Sequence, residues 1–347
     1  MSKVTLKEIA EKARTSKAAV SLVLNSKQYH RVSAATRDKI ERVARELNYR
    51  PNFQAQSLAL GKTNNIALTL NSMTPFYQEY TRILTGLCEK AGYNVFAFET
   101  YSDPDREAKV LKMINQGMFD GCICLEYNQT NRTVYDSSQH QVPTIFRGWN
   151  MLESYPEHML KINYSRSIER LFAHLAEQGW SKLGIITDSS PKDSKSSDPV
   201  RQGIYTEMLD KYKLRIEDND WIMVQSDCPD YMSYVHKRCV EVLSADPDVD
   251  ALIVQSASEV PAVYKAVSDC GREIGGDIAI STFDRVPILN YMVPEVTHIY
   301  EPVDLIAKML MDEVVNIIDK DKCQDRLSSI EITTELAIMP STIKKIK

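Results

Sequence analysis

The residues whose types and spacing could do chemistry gather at the start of the chain. The first 62 positions hold thirteen Lys/Arg against five Asp/Glu, whereas the whole 347-residue chain holds 42 against 47 and a formal net charge of −5. A basic head on an acidic body suits a polyanion at one end and other work in the remainder. Within the head, Lys17, Ala18, Ser21 and Leu22 are spaced to stand on or near one helix face. Lysine can donate to a base edge there, while alanine and leucine can pack on a thymine methyl. Arg37, Lys39, Arg42 and Arg45 supply cations for phosphates, which give affinity without sequence preference.

Three short helices must position these groups. Thr5-Leu6-Lys7-Glu8 forms a capping box, after which Leu6, Ile9, Ala10 and Ala13 recur on one face. Ser16 caps a second helix with Ala19, Val20, Val23 and Leu24 inward. Ser33 caps a third, with Ile40, Val43, Ala44 and Leu47 inward and the cations mostly outward. Two such helices separated by a few residues predict a helix-turn-helix, whose second helix enters a major groove.

The pattern resembles a known family. Val4-Thr5-Leu6-x-x-Ile9-Ala10, Ser16-x-x-x-Val20-Ser21-x-Val23-Leu24-Asn25, Val32-Ser33-x-x-Thr36-Arg37 and Leu47-Asn48-Tyr49-x-Pro51-Asn52 are similar to the DNA-binding domain of the lactose/galactose/purine repressor (LacI) family. The resemblance implies contacts to double-stranded operator DNA from Thr5, Ser16, Lys17, Ala18, Ser21, Leu22, Asn25, Arg31, Ser33, Thr36 and Arg37. It also implies a hinge at Asn52–Ala59 that becomes helical on DNA, with Asn52 and Ala55 in the paired hinges and Leu58 as a minor-groove wedge. Gln54 stands where the family commonly has valine. Two further departures matter. Arg14 replaces the usual turn glycine, at a conformational cost and with a charge available to a phosphate. Leu22 replaces the arginine often found late in the recognition helix, so the corresponding guanine preference is expected to be absent or relocated, leaving Lys17 as the polar base contact.

From Ile66 onward, apolar runs at 66–70, 95–98, 122–125, 144–146, 183–187, 251–254 and 279–282 alternate with amphipathic stretches such as 77–91, 106–116, 165–178, 231–244 and 260–270. This alternation predicts parallel sheets covered by helices on both faces, with ligands beyond the carboxyl ends of the strands. Thr74-Pro75-Phe76-Tyr77, Asp103-Pro104-Asp105-Arg106-Glu107, Phe283-Asp284 and Pro294-x-Val296-Thr297 resemble family segments at matching places. The implied fold class is an all-α helix-turn-helix head plus an α/β two-lobed body like the periplasmic sugar-binding proteins. The implied boundaries are 1–50 for the head, 51–62 for the hinge and 63–347 for the body, with lobes at 63–162 plus 299–324 and at 163–298 plus 325–347.

The resemblance also implies effector contacts from Phe76, Tyr77, Trp149, Arg201 and Asp284, the aromatics as stacking platforms, Arg201 as a planar fork and Asp284 as an acceptor of hydroxyls. For Phe76 and Trp149 ordinary core packing is the competing expectation. Gly148, Ser256 and Ala257 stand where the family places polar acceptors, which argues against a standard neutral hexose. Arg147 beside Arg201 points instead to an anionic ligand, such as a sugar phosphate or sugar acid, with pairing to surface carboxylates as the plainer use of both.

Other chemistry finds little footing. Cys122-Ile123-Cys124 reads as a buried strand pair rather than a metal site, and no G-x-S-x-G elbow, Walker loop or H-E-x-x-H occurs. No cofactor and no membrane contact are therefore expected, since no apolar run approaches the roughly 18 residues of a span. Seven cysteines without framework spacing point to a reducing cytoplasm. The expected protein is a transcriptional regulator, a repressor, working as a homodimer or as a tetramer built from it. An operator-binding protein driven by a protein partner, or a constitutive one, is the alternative, and an enzyme on the same body the less favoured one.

Overall fold

A computed structural model describes residues 4–25, 31–50, 61–101, 103–126, 142–149, 158–187, 199–224, 230–319 and 330–345. The chain divides into two compact units, Met1–Asn64 and Asn65–Lys347.

The first unit contains helices α1 (Leu6–Ala13), α2 (Lys17–Asn25) and α3 (Ala34–Glu46). The capping box forms in full: the Thr5 amide donates to Glu8 Oε2 at 2.7 Å and the Glu8 amide to Thr5 Oγ1 at 3.4 Å. Helix α1 stops at Arg14, whose left-handed backbone (φ 49°, ψ 54°) lets its own amide and that of Thr15 reach back to Ala10. The Ala19 amide donates to Ser16 Oγ at 3.0 Å, and the Thr36 amide to Ser33 Oγ at 3.4 Å, so both expected N-caps are in use. Ile9, Ala13, Val20, Ile40 and Val43 close a small apolar core. Leu22 is half-buried and stays out of that cluster.

The second unit is a pair of α/β lobes. In chain order its elements are β1 (Asn65–Leu70), α4 (Pro75–Ala91), β2 (Asn94–Glu99), α5 (Pro104–Ile114), β3 (Gly121–Cys124), β4 (Thr144–Trp149), β5 (Met159–Asn163), α6 (Ser165–Glu177), β6 (Leu183–Thr187), α7 (Pro199–Tyr212), β7 (Trp221–Met223), α8 (Tyr231–Ala245), β8 (Ala251–Val254), α9 (Val260–Asp269), β9 (Ala279–Phe283), β10 (Thr297–Tyr300), α10 (Val303–Ile318), β11 (Glu331–Thr333) and β12 (Glu335–Ala337). The first sheet runs β11-β5-β4-β3-β1-β2 and is parallel throughout. The second runs β12-β10-β9-β8-β6-β7, parallel except for β12, which lies antiparallel to β10. Continuous apolar strands such as 66–70 are buried residue after residue, because helices cover both faces of a parallel sheet.

The chain crosses between lobes after β5, after β10 and between β11 and β12. Helix α10 returns to the first lobe and packs on β3, β4 and α4. Gly121 permits that approach, since an added Cβ would stand 2.8 Å from the side chains of Val314 and Ile318. One boundary differs from the sequence expectation: the resemblance places residues 325–347 in the second lobe, yet β11 extends the first sheet beside β5. Three residues are too few to carry a lobe preference in their composition.

Candidate nucleic-acid interface and effector cleft

On the head, Lys17 and Ala18 are exposed and Ser21 half-buried along α2, turned away from the core that Val20 enters. The Thr5, Ser16 and Ser33 hydroxyls cap helices. Each remains at the surface, so capping fixes it at a helix start, where amides also point outward. Arg31 is exposed, and Thr36 and Arg37 are half-buried on α3. Asn25 ends α2, with its side chain outside the described residues. Asn52, Ala55 and Leu58 also lie outside them.

In the body, the expected effector residues follow the carboxyl ends of strands, as the parallel topology requires. Phe76 and Tyr77 open α4 after β1, and their rings meet edge to face at 5.0 Å between centroids. Asp284 follows β9 with a left-handed backbone (φ 70°). Arg201, 7% exposed, projects from α7 with its guanidinium carbon 4.5 Å from the Phe283 ring centroid and 5.4 Å from that of Tyr164. Trp149 is the last residue of β4, paired with Ile162, and its side chain is outside the described residues.

Arg147 departs from the expectation of a cation open to an anionic ligand. It is 3% exposed and pairs with Glu301: Nε donates to Oε2 at 2.9 Å and Nη2 to Oε1, while Nη1 donates to the Leu125 carbonyl at 3.1 Å. The Tyr80 and Tyr164 hydroxyls donate to the same carboxylate. Burial opposes the charge on Glu301, but Arg147 and these hydrogen bonds outweigh it and hold the carboxyl below its usual range. The Tyr77 hydroxyl donates to Glu126, and burial with that carboxylate pushes the phenol well up. Asp284 is pushed up to about 7 by burial and by Glu301, against the opposing pull of Arg201 and Arg147. The residue as a whole keeps some accessible surface.

Glu126, Glu301, Tyr80 and Tyr164 contact the candidate residues, and the sequence pattern does not single them out. Their signal is positional, each standing within two residues of a strand end or one helical turn beyond Phe76. Gly148, Ser256 and Ala257 carry structural duties. The Met159 side chain fills the space a Cβ on Gly148 would need, Ser256 Oγ accepts from the Ser258 amide at 3.3 Å, and Ala257 is buried. Cys122 and Cys124 are buried in the first lobe, and burial pushes the Cys122 thiol up to about 12. Among the described residues, no group of three or more His, Cys, Asp or Glu could hold a metal ion, and no helix is long and apolar enough to cross a membrane.

Comparison with known proteins agrees with this layout. Residues 5–52 match the lacI family of bacterial regulatory proteins, and residues 172–338 match the periplasmic binding protein-like domain. The chain is 26% identical over 325 residues to the ribose operon repressor of Escherichia coli strain K12, covering 93% of this chain and 95% of that protein. A LacI-family transcriptional regulator from Silicibacter pomeroyi has the same fold, with a TM-score of 0.79 and 20% identity over 99% of this chain and 100% of that one. The lac repressor dimer bound to operator and the anti-inducer ONPF superposes with a TM-score of 0.75 and 19% identity, covering 99% and 100% of the two chains. The chain thus carries a helix-turn-helix domain of the lacI family of bacterial regulatory proteins together with a periplasmic-binding-protein-like domain.

Proposed function

We propose that this protein is a sequence-specific DNA-binding transcriptional regulator, a repressor, whose operator affinity is modulated by a small sugar-like molecule held between the two lobes. The observation that carries this reading is the head itself: a capped three-helix unit presenting Lys17, Ala18 and Ser21 on α2 outside its core. Phosphate contacts by Arg31, Arg37, Arg42 and Arg45 give affinity, and Lys17 with Leu22 gives base preference. A homodimer reading a two-fold operator, through Asn52, Ala55 and the wedge Leu58 of paired hinges, completes the mechanism.

The body supplies the modulation. Phe76 and Tyr77 offer ring surfaces at the start of α4, Arg201 a planar cation on α7 and Asp284 an acceptor just past β9. A ligand that binds one lobe arrangement better than another shifts the population, and with it the spacing of the hinges. The ribose operon repressor among the relatives supports a sugar as the class to try first. A body driven by a protein partner draws its support from Gly148, Ser256 and Ala257, where family acceptors are replaced by packing and turn residues. Selection of bound duplexes from random DNA, with and without a panel of sugars, tests both halves. An enriched motif whose yield changes with one sugar supports the reading, and no enriched motif contradicts it.

A further inference from the structure

We infer that Glu301 is a specificity-determining residue, which by pairing with Arg147 restricts the cleft to uncharged polyhydroxyl ligands. The inference rests on the reading of the cleft as an effector site and names the charge class that site takes. Arg147 lies against the effector platform, its guanidinium carbon 5.2 Å from the Phe76 centroid and 5.6 Å from that of Tyr80. Left alone, such a cation would recruit a phosphate or carboxylate. Instead Glu301, 3% exposed, takes both Nε and Nη2, and the Leu125 carbonyl takes Nη1. The carboxylate is in turn saturated by the Tyr80 and Tyr164 hydroxyls. An anionic ligand would have to open this buried pair, leaving one charge without its partner in a low-dielectric site.

The surroundings point the same way. With Arg147 balanced by Glu301, Arg201 brings one positive charge among the described residues, against the carboxyl groups of Glu126 and Asp284. That set offers no surplus of positive charge. Glu301 also stands on the crossover between β10 and α10, and Tyr164 on the crossover between β5 and α6. The charge filter is therefore anchored where the lobes are joined and does not depend on one lobe position.

The test compares matched pairs, ribose with ribose 5-phosphate and glucose with glucuronate, by calorimetric titration of the full chain. The wild type is expected to prefer the neutral member of the bound pair by at least about tenfold. Glu301→Gln, similar in shape but without the charge, is expected to reverse that preference, and the Arg147→Gln/Glu301→Gln double variant to lose the new anion binding. A wild type that binds the anionic member as well as or better than the neutral one overturns the inference, even if Glu301→Gln fails to fold. So does a Glu301→Gln protein with an unchanged ratio. If neither member of either pair binds the wild type, that result counts against the sugar-effector reading. The pairing is then decided by inorganic phosphate at matched ionic strength, which must raise the melting temperature of Glu301→Gln but not of the wild type or the double variant.

Discussion

Arg201 and Phe283 belong to different elements, α7 and β9, yet the guanidinium carbon lies 4.5 Å from the ring centroid, one residue from the acceptor Asp284. The ring contact holds a planar guanidinium in place, and lysine has no such plane. Arg201→Lys is therefore expected to weaken binding of the neutral sugar about tenfold, about 1.4 kcal/mol, while leaving operator affinity without sugar unchanged. Calorimetry checks the first and an operator titration the second. Equal sugar affinity in both proteins would remove Arg201 from the site.

Asp284 carries a pH dependence with a definite sign. Burial and Glu301 raise its carboxyl from 3.8 to about 7, so the folded state binds a proton that the unfolded state has released. Its contribution is complete below about pH 4 and is lost as pH rises through about 7. Asp284→Asn, which tolerates the left-handed backbone, should flatten that decline. Each tenfold difference in proton affinity between folded and unfolded chain is worth at most about 1.4 kcal/mol, and the partial exposure of the residue reduces it further. Urea midpoints from pH 4 to 8 measure the difference, and parallel curves for the two proteins would contradict the assignment. Sugar binding should also tighten about tenfold between pH 6 and 8, because the ionised carboxylate accepts charge-assisted hydrogen bonds from hydroxyls and the neutral acid does not.

Arg14 holds the left-handed turn between α1 and α2 at a conformational cost that glycine would not bear. Arg14→Gly should stabilise the head by about 1 kcal/mol, while lowering the slope of log affinity against log salt by about one phosphate contact. Denaturation of the full chain and operator titrations from low to high salt test the two effects. An unchanged salt slope would leave Arg14 with no role on DNA.

Lys17 and Arg37 should separate base reading from phosphate binding. Lys17→Ala is expected to cost about 1–3 kcal/mol of discrimination between the selected operator and single-base variants. Arg37→Ala should weaken all duplexes alike. Competition binding against a set of point-changed operators distinguishes them, and identical behaviour of the two variants would defeat the sorting.

Much of this architecture is legible in the sequence because local rules and tertiary packing agree there. The caps at Thr5, Ser16 and Ser33, and the buried runs 66–70, 183–187, 251–254 and 279–283, follow from side-chain hydrogen bonding and continuous apolarity. Helix α7 is harder, since Arg201 and Gln202 share its buried face with Tyr205, Met208 and Leu209 and blur the apolar stripe. Strands β7, β11 and β12 are three residues each, too short for a period to register, and pairing with longer neighbours defines them. The cleft is half readable. Phe76, Tyr77, Arg201 and Asp284 sit in recognisable segments, but the partner of Arg147 lies 154 residues away at Glu301. A lone arginine in a sequence cannot disclose that its charge is already matched.

The central claim is that the head grips a particular duplex and that a ligand in the body changes that grip. The most direct measurement is a titration of the full chain against its selected operator and a scrambled duplex of equal length, at rising salt, with and without the sugar that shifts its melting temperature. The account predicts salt-sensitive binding to both, at least about a thousandfold preference for the operator, and a change in operator affinity of at least about fivefold on adding the sugar. Equal affinity for operator and scrambled duplex, or operator affinity that the sugar leaves untouched, would contradict it.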